Sequence, residues 1–582
     1  MALFTPSESP AVVVKEIDLT GGVPNVQSTT GGIVGNFRWG PVEQRTSVAN
    51  EADLVEKFAS PDSANAIDFH SASYFLRYSS SLQVVRAVTS AAKNANATTG
   101  KTSVAPTSVE LVKNTTDFDA QRSALDSDTH SFIARYPGAL GNSIKVEMCG
   151  ASTSNTAFDG WARKSSFDAA PGTSSFASNS NASNDELHIA VIDNDGKLTG
   201  TAGTVLETYP FVSGGTNAKN PDGTNNYAKD VINERSEYVW MVNFDSDFIA
   251  AGASTAIDSG DNFVTTAGVS NFAFANGANS GALGTSEFST GHDQFEDKDQ
   301  VELDFLIAPG MTSRTDQTTV VNDLTATAQN TRKDCVVVAS PARSDVVNLT
   351  NASTITTNVT TTADTFTNSS YLIMDGNYLK VYDKFNDQFI QIPAASSTAG
   401  LMAATDLNRA PWFSPAGQRR GQYLGVTAIP YTPTKAQRDT LYKAGVNPVA
   451  NIPGAGTILF GDKTKLARPS AFDRINVRRL FLVLERAIGR AAESVLFEFN
   501  DEFTRAEFVN IVEPVLREVK GRRGITDFKV VCDETNNTAA VIDRNEFIAS
   551  IFIKPARSIN YVTLNFVAVR TGVDFEEVVG TV

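Results

Sequence analysis

FDRINVRRLFLVLERAIGRAAESVLFEFND, residues 472–501, opens the most densely patterned part of the chain, an α/β module running from Arg468 to Arg570. Apolar residues recur at Val477, Phe481, Leu484, Ile488, Ala491 and Val495, the spacing of one buried helical face, with Asp473 as the expected N-cap. Arg478, Arg479, Arg486 and Arg490 fall largely on the other side and make a basic face. The next stretch, TRAEFVNIVEPVLREVKGRRGITDFKVVCDETNN from Thr504, predicts a second helix. Thr504 and Glu507 form a capping-box signature, Phe508, Ile511, Val515, Leu516 and Val519 give the apolar face, Pro514 introduces a kink and Gly521 stops it. Strand-like runs follow at Phe528–Cys532, Glu546–Ile553 and Asn560–Val569. Both faces of the last are substantially apolar, as in a central strand. The tail from Val573 to Val582 has no partner nearby in sequence.

Outward from this module the pattern loosens. Met1 to about Thr20 reads as an extended arm: Pro6 and Pro10 oppose helix, and Ala11–Ile17 is rich in β-branched residues. A small α/β unit comes next, with strands at Gly32–Phe37 and Leu82–Val88 and helices at Ala52–Phe58 and Ala66–Tyr78. Ser90–Thr129 has the composition of a linker or peripheral insertion, Ile133–Ser213 reads as a β-rich inserted domain, and Gly214–Asn226 as a loop. The block Ile232–Phe244 returns to strand character, and Ala250–Thr290 is a Ser/Gly/Ala-rich surface stretch. A parallel-sheet unit then resumes with strands at Asp304–Ile307 and Cys335–Ala339 around a helix near Thr318–Arg332, whereas Leu349–Ser370 has a modest helical period at best. The fold class is therefore α/β (α+β) and multidomain. We expect an N-terminal arm (1–20), a discontinuous α/β core (21–89 and 230–345), an inserted β-rich peripheral domain (90–229), a C-terminal α/β domain (346–572) and a C-terminal arm (573–582).

Composition narrows the function. At 582 residues the length suggests roughly three or four domains. No apolar run is long enough to cross a bilayer, and the first twenty residues lack the basic start and apolar core of a signal peptide, which predicts a soluble cytoplasmic product without membrane insertion. A net charge of −16 argues against direct nucleic-acid binding, which needs a surplus of Lys and Arg facing phosphates. Cys149, Cys335 and Cys532 are odd in number and far apart, so buried free thiols are expected rather than a disulfide framework.

The search for chemistry yields no catalytic constellation, no metal site and no cofactor fingerprint. DNDGKLTG from Asp193 begins like a calcium loop but lacks the fifth-position oxygen ligand and the closing Glu, so a hairpin turn is the better reading. PGAGTILFG from Pro453 lacks the Lys-Ser/Thr ending of a phosphate loop and reads as a tight connection between strands. His70, His130, His188 and His292 are scattered without metal spacing, and no Gly-x-Ser-x-Gly elbow marks a nucleophile. The acidic run Asp293, Glu296, Asp297 and Asp299 reads as a solvated loop rather than a cation site.

The C-terminal blocks quoted above, together with FIASIFIKPARSINYVTLNFVAVRTGVDFEE at 547–577, resemble the C-terminal domain of contractile-tail sheath proteins of T-even-like (myovirus) bacteriophages. SPAVVVKEID at 9–18, ARYPGALGNSIKV at 134–146, VELDFLIAPG at 301–310 and WFSPAGQRRGQYLGV at 412–426 resemble further sheath segments in the same order. The resemblance implies a non-enzymatic structural subunit that polymerises with itself as stacked hexameric discs around a tail tube. It also implies contraction by rigid-body rearrangement, contacts with baseplate and tail terminator or neck proteins, and a place in the virion tail after assembly in the host cytoplasm. The arms would then donate strands to neighbouring copies: Val12, Val13, Val14 and Ile17 from the N-terminus, Val573, Phe575, Val578 and Val579 from the C-terminus. The competing reading folds both arms back on their own domain. The basic helix of Arg478, Arg479, Arg486 and Arg490 is the candidate tube-facing surface, against which stands internal pairing with Glu485 and Glu493. The sheath of a tailocin or type VI-like secretion machine is the alternative within the same architecture, and an enzyme with a dispersed site the alternative outside it.

Overall fold

Seven short strands build the central sheet of the computed structural model, which describes residues 28–98, 111–125, 130–152, 154–242, 255–264 and 268–559. They are β1 (Gly31–Gly35), β2 (Arg45–Val48), β3 (Leu82–Arg86), β4 (Phe305–Ile307), β5 (Val336–Ala339), β6 (Leu372–Asp375) and β7 (Val446–Asn447). Their order is β7-β6-β5-β4-β1-β3-β2. All pairings are parallel except β2 against β3, and Ile33 stands opposite both Val84 and Ile307. Strands such as VVVA, and LIMD up to its final Asp375, are apolar because both faces are covered.

Side-chain alternation divides each strand between two cores. Val34, Val85, Leu306, Val337 and Met374 face α2 (Arg314–Ala326) and α3 (Ala352–Thr365). Ile33, Val84, Ile307, Val338 and Ile373 face α1 (Ala66–Leu76), α4 (Ala395–Asn408) and the first part of α5 (Ile475–Glu493). The sheet thus contains strands on both sides of residue 346, where a border between α/β domains was expected. α3 also exceeds the expectation for Leu349–Ser370. Asn351 caps it, accepting from the amides of Ser353 and Thr354, and Ile355, Val359 and Ala363 place one apolar residue per turn on the core. Thr356 and Thr357 return their hydroxyls to carbonyls four residues back.

Between β3 and β4 the chain builds the inserted β-rich region. Ile144–Gly150 pairs antiparallel with Glu186–Asp193 and with Val269–Ala273, and Glu186–Asp193 continues to Thr204–Ser213. A second sheet joins His130–Pro137 to Asn94–Thr98 and Val239–Met241. Two stretches read as linker or surface therefore carry strands, Asn94–Thr98 and Val269–Ala273. The Ile232–Phe244 block splits into the end of a helix, Ala228–Arg235, and the strand Val239–Met241. Phe132, Val146, Val191, Ile232 and Phe272 meet in one core there, so packing against neighbours made strands of segments whose own composition is poor in apolar residues.

The described residues fall into two compact units, 28–411 with 415–486, and 412–414 with 487–559. α5 runs through the division. The second unit contains α6 (Glu502–Gly521), β8 (Ile525–Val531) and β9 (Ser550–Pro555). α6 starts earlier than its expected capping box, because the Asp501 carboxylate accepts from the Thr504 amide at 2.8 Å and fills the cap position first. Pro514 lies inside this helix, which ends at Gly521 as expected.

Candidate assembly surface

α5 positions the four arginines singled out by sequence. Arg479 donates to Met402 O at 3.1 Å and to Ser28 O at 3.3 Å, pairs with both carboxylate oxygens of Asp406, and lies over the Phe305 ring. Arg486 donates to Asp304 Oδ1 at 2.8 Å and to Leu303 O and Asp334 O at 2.9 Å each. Arg478 donates to Ser370 Oγ at 2.7 Å, its guanidinium between the rings of Tyr371 and Phe472. Arg490 is half-buried. Internal pairing is thus realised at Arg479 and Arg486, but with Asp406 and Asp304 rather than with Glu485 and Glu493. The spacing held this signal: Ile475, Arg479, Leu482 and Arg486 are separated by four, three and four residues, so both arginines share the face that Ile475 and Leu482 bury. Burial pushes the Asp406 carboxyl up to about 6 although Arg479 opposes it, and raises Asp304 against Arg486.

The C-terminal unit offers a different surface. β8 and β9 pair antiparallel, Phe528 opposite Ile553 and Val530 opposite Ile551, and among the described residues each has only the other as neighbour. An unpaired edge leaves a row of amides and carbonyls for an added strand, and two strands alone are marginal in water. α6 supports this sheet with Phe508, Val512, Leu516 and Val519 buried, and Trp412 Nε1 donates to Arg522 O at 3.1 Å. The loop between α5 and α6 leaves Leu496, Phe497 and Phe499 exposed, Phe497 completely, and Phe503 in the first turn of α6 is exposed as well. The candidate strand donors Val12, Val13, Val14, Ile17, Val573, Phe575, Val578 and Val579 lie outside the described residues, as does the expected strand Asn560–Val569.

The remaining motifs resolve as turns and core. Asp193 accepts from Ser143 Oγ, from the amides of Gly196, Leu198 and Thr199, and from Thr199 Oγ1; its carboxylate ties the turn between two strands. Pro453–Ala455 joins the antiparallel strands Val449–Ile452 and Gly456–Leu459. Asp293 ends the helix Thr285–Asp293 and Glu296, Asp297 and Asp299 follow it, all four exposed, and all three cysteines are buried free thiols.

Two family models match the chain, the phage tail sheath protein central domain over residues 281–465 and the phage tail sheath C-terminal domain over 467–568. The tail sheath protein of Vibrio phage KVP40 is 32% identical over 98% of this chain and 99% of its own length, and that of Enterobacteria phage T4 is 33% identical over the same shares. The chain belongs to the phage tail sheath family. It is a structural subunit of a contractile tail sheath, a component of a phage tail. Solved structures agree on the fold. A sheath tail protein of Listeria innocua, 11% identical, superposes with a TM-score of 0.54 over 91% of this chain and 96% of that one. One from Desulfitobacterium hafniense, 13% identical, gives 0.51 over 94% and 100%. No helix among the described residues of the sheath protein is long and apolar enough to cross a membrane.

Proposed function

We propose that this sheath protein assembles as stacked hexameric discs around a tail tube and contracts by rigid-body rearrangement, driving the tube through the host envelope. Assembly takes place in the host cytoplasm, with baseplate and tail terminator or neck proteins bounding the polymer. The observation that carries the reading is similarity to tail sheath proteins across nearly the whole chain. The arms supply the links: Val12, Val13, Val14 and Ile17, and Val573, Phe575, Val578 and Val579, add strands to the β8–β9 sheets of neighbouring copies. Main-chain hydrogen bonds of this kind tolerate changes of angle between rigid bodies. That β8 and β9 have only each other as neighbours among the described residues supports that role. Of the candidate tube-facing set Arg478, Arg479, Arg486 and Arg490, the first three make their contacts within the fold, which favours internal pairing over tube contact for them. A charge reversal at Arg479 would set a like charge against buried Asp406 and test folding rather than tube contact.

The test is electron microscopy of the full-length protein, alone and with its tail tube, beside a chain lacking Met1–Thr20. Striated hollow cylinders from the first and folded monomers from the second are the expected result. Monomers of the full-length protein even with tube and baseplate present would overturn the sheath assembly.

A further inference from the structure

Charge and apolar surface are separated along the C-terminal unit. At the start of α6 the exposed aromatics Phe497, Phe499 (83% exposed) and Phe503 (77%) stand among the acids Glu498, Asp501 and Glu502. The loop after β8 joins this end, because Asn500 Nδ2 donates to Glu546 O at 2.8 Å and approaches Asn537 Oδ1 at 3.4 Å, bringing Asp533 and Glu534 with it. The other end of the same helix carries a basic excess. Arg517, Lys520, Arg522 and Arg523 are exposed there, with Lys554 at the end of β9 and Arg557 just beyond, while Glu513 and Glu518 pair with Arg517 and Arg522 at 2.6 and 3.3 Å. Lys520 and Lys554 both approach Asp527, at 3.1 and 4.0 Å, which fixes the strands to this pole. A helix of 20 residues sets the poles about 30 Å apart. Their exposed groups are too far apart to neutralise each other within one copy.

We propose that the acidic aromatic pole of one copy is covered by the basic pole of the C-terminal unit of a second copy, a head-to-tail contact separate from the strand-donating arms. This rests on the sheath reading. Three large apolar rings fringed by one sign of charge form a patch that a soluble monomer rarely leaves bare. The partner that fits must bring apolar stems under positive heads, and Lys and Arg side chains do so. This chain carries that surface at the opposite end of the same helix. A contact between unlike patches repeats without saturating, and it closes into a ring or continues as a helix according to the rotation between copies, which is the geometry a sheath requires.

Charge exchange tests it. The Glu498→Lys/Glu534→Lys and the Arg523→Glu/Lys554→Glu variants alter exposed residues only, and circular dichroism and melting of the monomers should match the parent. Each variant alone should need about tenfold more protein to form sedimentable polymer, the sum of a few exposed charge pairs. Mixing the two should restore assembly, since the reversed poles complement each other. Polymerisation of both single variants at the parent concentration, or a mixture no better than its components, would overturn the contact. A parent chain that itself fails to polymerise would defeat the sheath reading instead, so the two failures are distinguishable.

Discussion

Asp375 is a carboxylate whose ordinary chemistry burial changes strongly. It ends β6 with no exposed surface, accepting from Ser340 Oγ at 2.8 Å and Thr398 Oγ1 at 3.3 Å, and burial raises its carboxyl to about 7. A folded pKa above the unfolded value means the folded state holds the proton more tightly. Stability from this residue is therefore greatest below about 4 and falls as pH rises to about 7, at roughly 1.4 kcal/mol per pH unit. Asp375→Asn should remove that slope: urea midpoints of variant and parent should converge at pH 4.5, and the variant should be the more stable at pH 8. Equal midpoints at both pH values would show that Asp375 titrates normally. At this scale the sequence was least legible. It shows Arg479 as basic and Asp375 as acidic, whereas their partners, Asp406, Ser340 and Thr398, come from distant segments that only the fold brings together. The same holds at Phe497 and Phe499, which sit between two helices with no period to mark them, and at Phe503 in the first turn of α6.

Elements were legible where period and length agreed. β1, β3, β5 and α1 lie within about two residues of their sequence limits, because unbroken apolar runs and a three-to-four spacing have one good interpretation each. α3 was read as weak because threonines dilute its period, and Val269–Ala273 was missed because its partner Ile144–Gly150, over a hundred residues earlier, supplies the apolar contacts. Two helical glycines show how packing outranks propensity. A Cβ at Gly400 in α4 would meet the Tyr78 ring at 2.3 Å, whereas one at Gly489 in α5 would meet nothing within 4 Å. Both positions gain about 1 kcal/mol of helix propensity with alanine. Overpacking costs about 1–3 kcal/mol, so Gly400→Ala should lower the melting temperature and Gly489→Ala should raise it. A rise in both would mean that α4 can shift away from Tyr78 at little cost.

For the whole molecule, the net charge of −16 sets two electrostatic effects against each other during assembly. Copies approaching one another repel through their total charge over the Debye length, about 30 Å at 0.01 M salt and about 8 Å at 0.15 M. Paired groups at an interface attract over about 4 Å, a distance that salt at 0.15 M screens little. Adding salt to 0.15 M should therefore remove most of the repulsion and leave most of the attraction, and polymer measured by sedimentation should increase. Toward 1 M the Debye length falls to about 3 Å and pole-to-pole pairs weaken in turn, while buried apolar rings and strand hydrogen bonds persist. The expected profile rises, then flattens or dips without returning to the low-salt value. A steady fall from 0.01 M upward would mean that contact charges dominate assembly and that the like net charge of the subunits is already neutralised by how their surfaces meet.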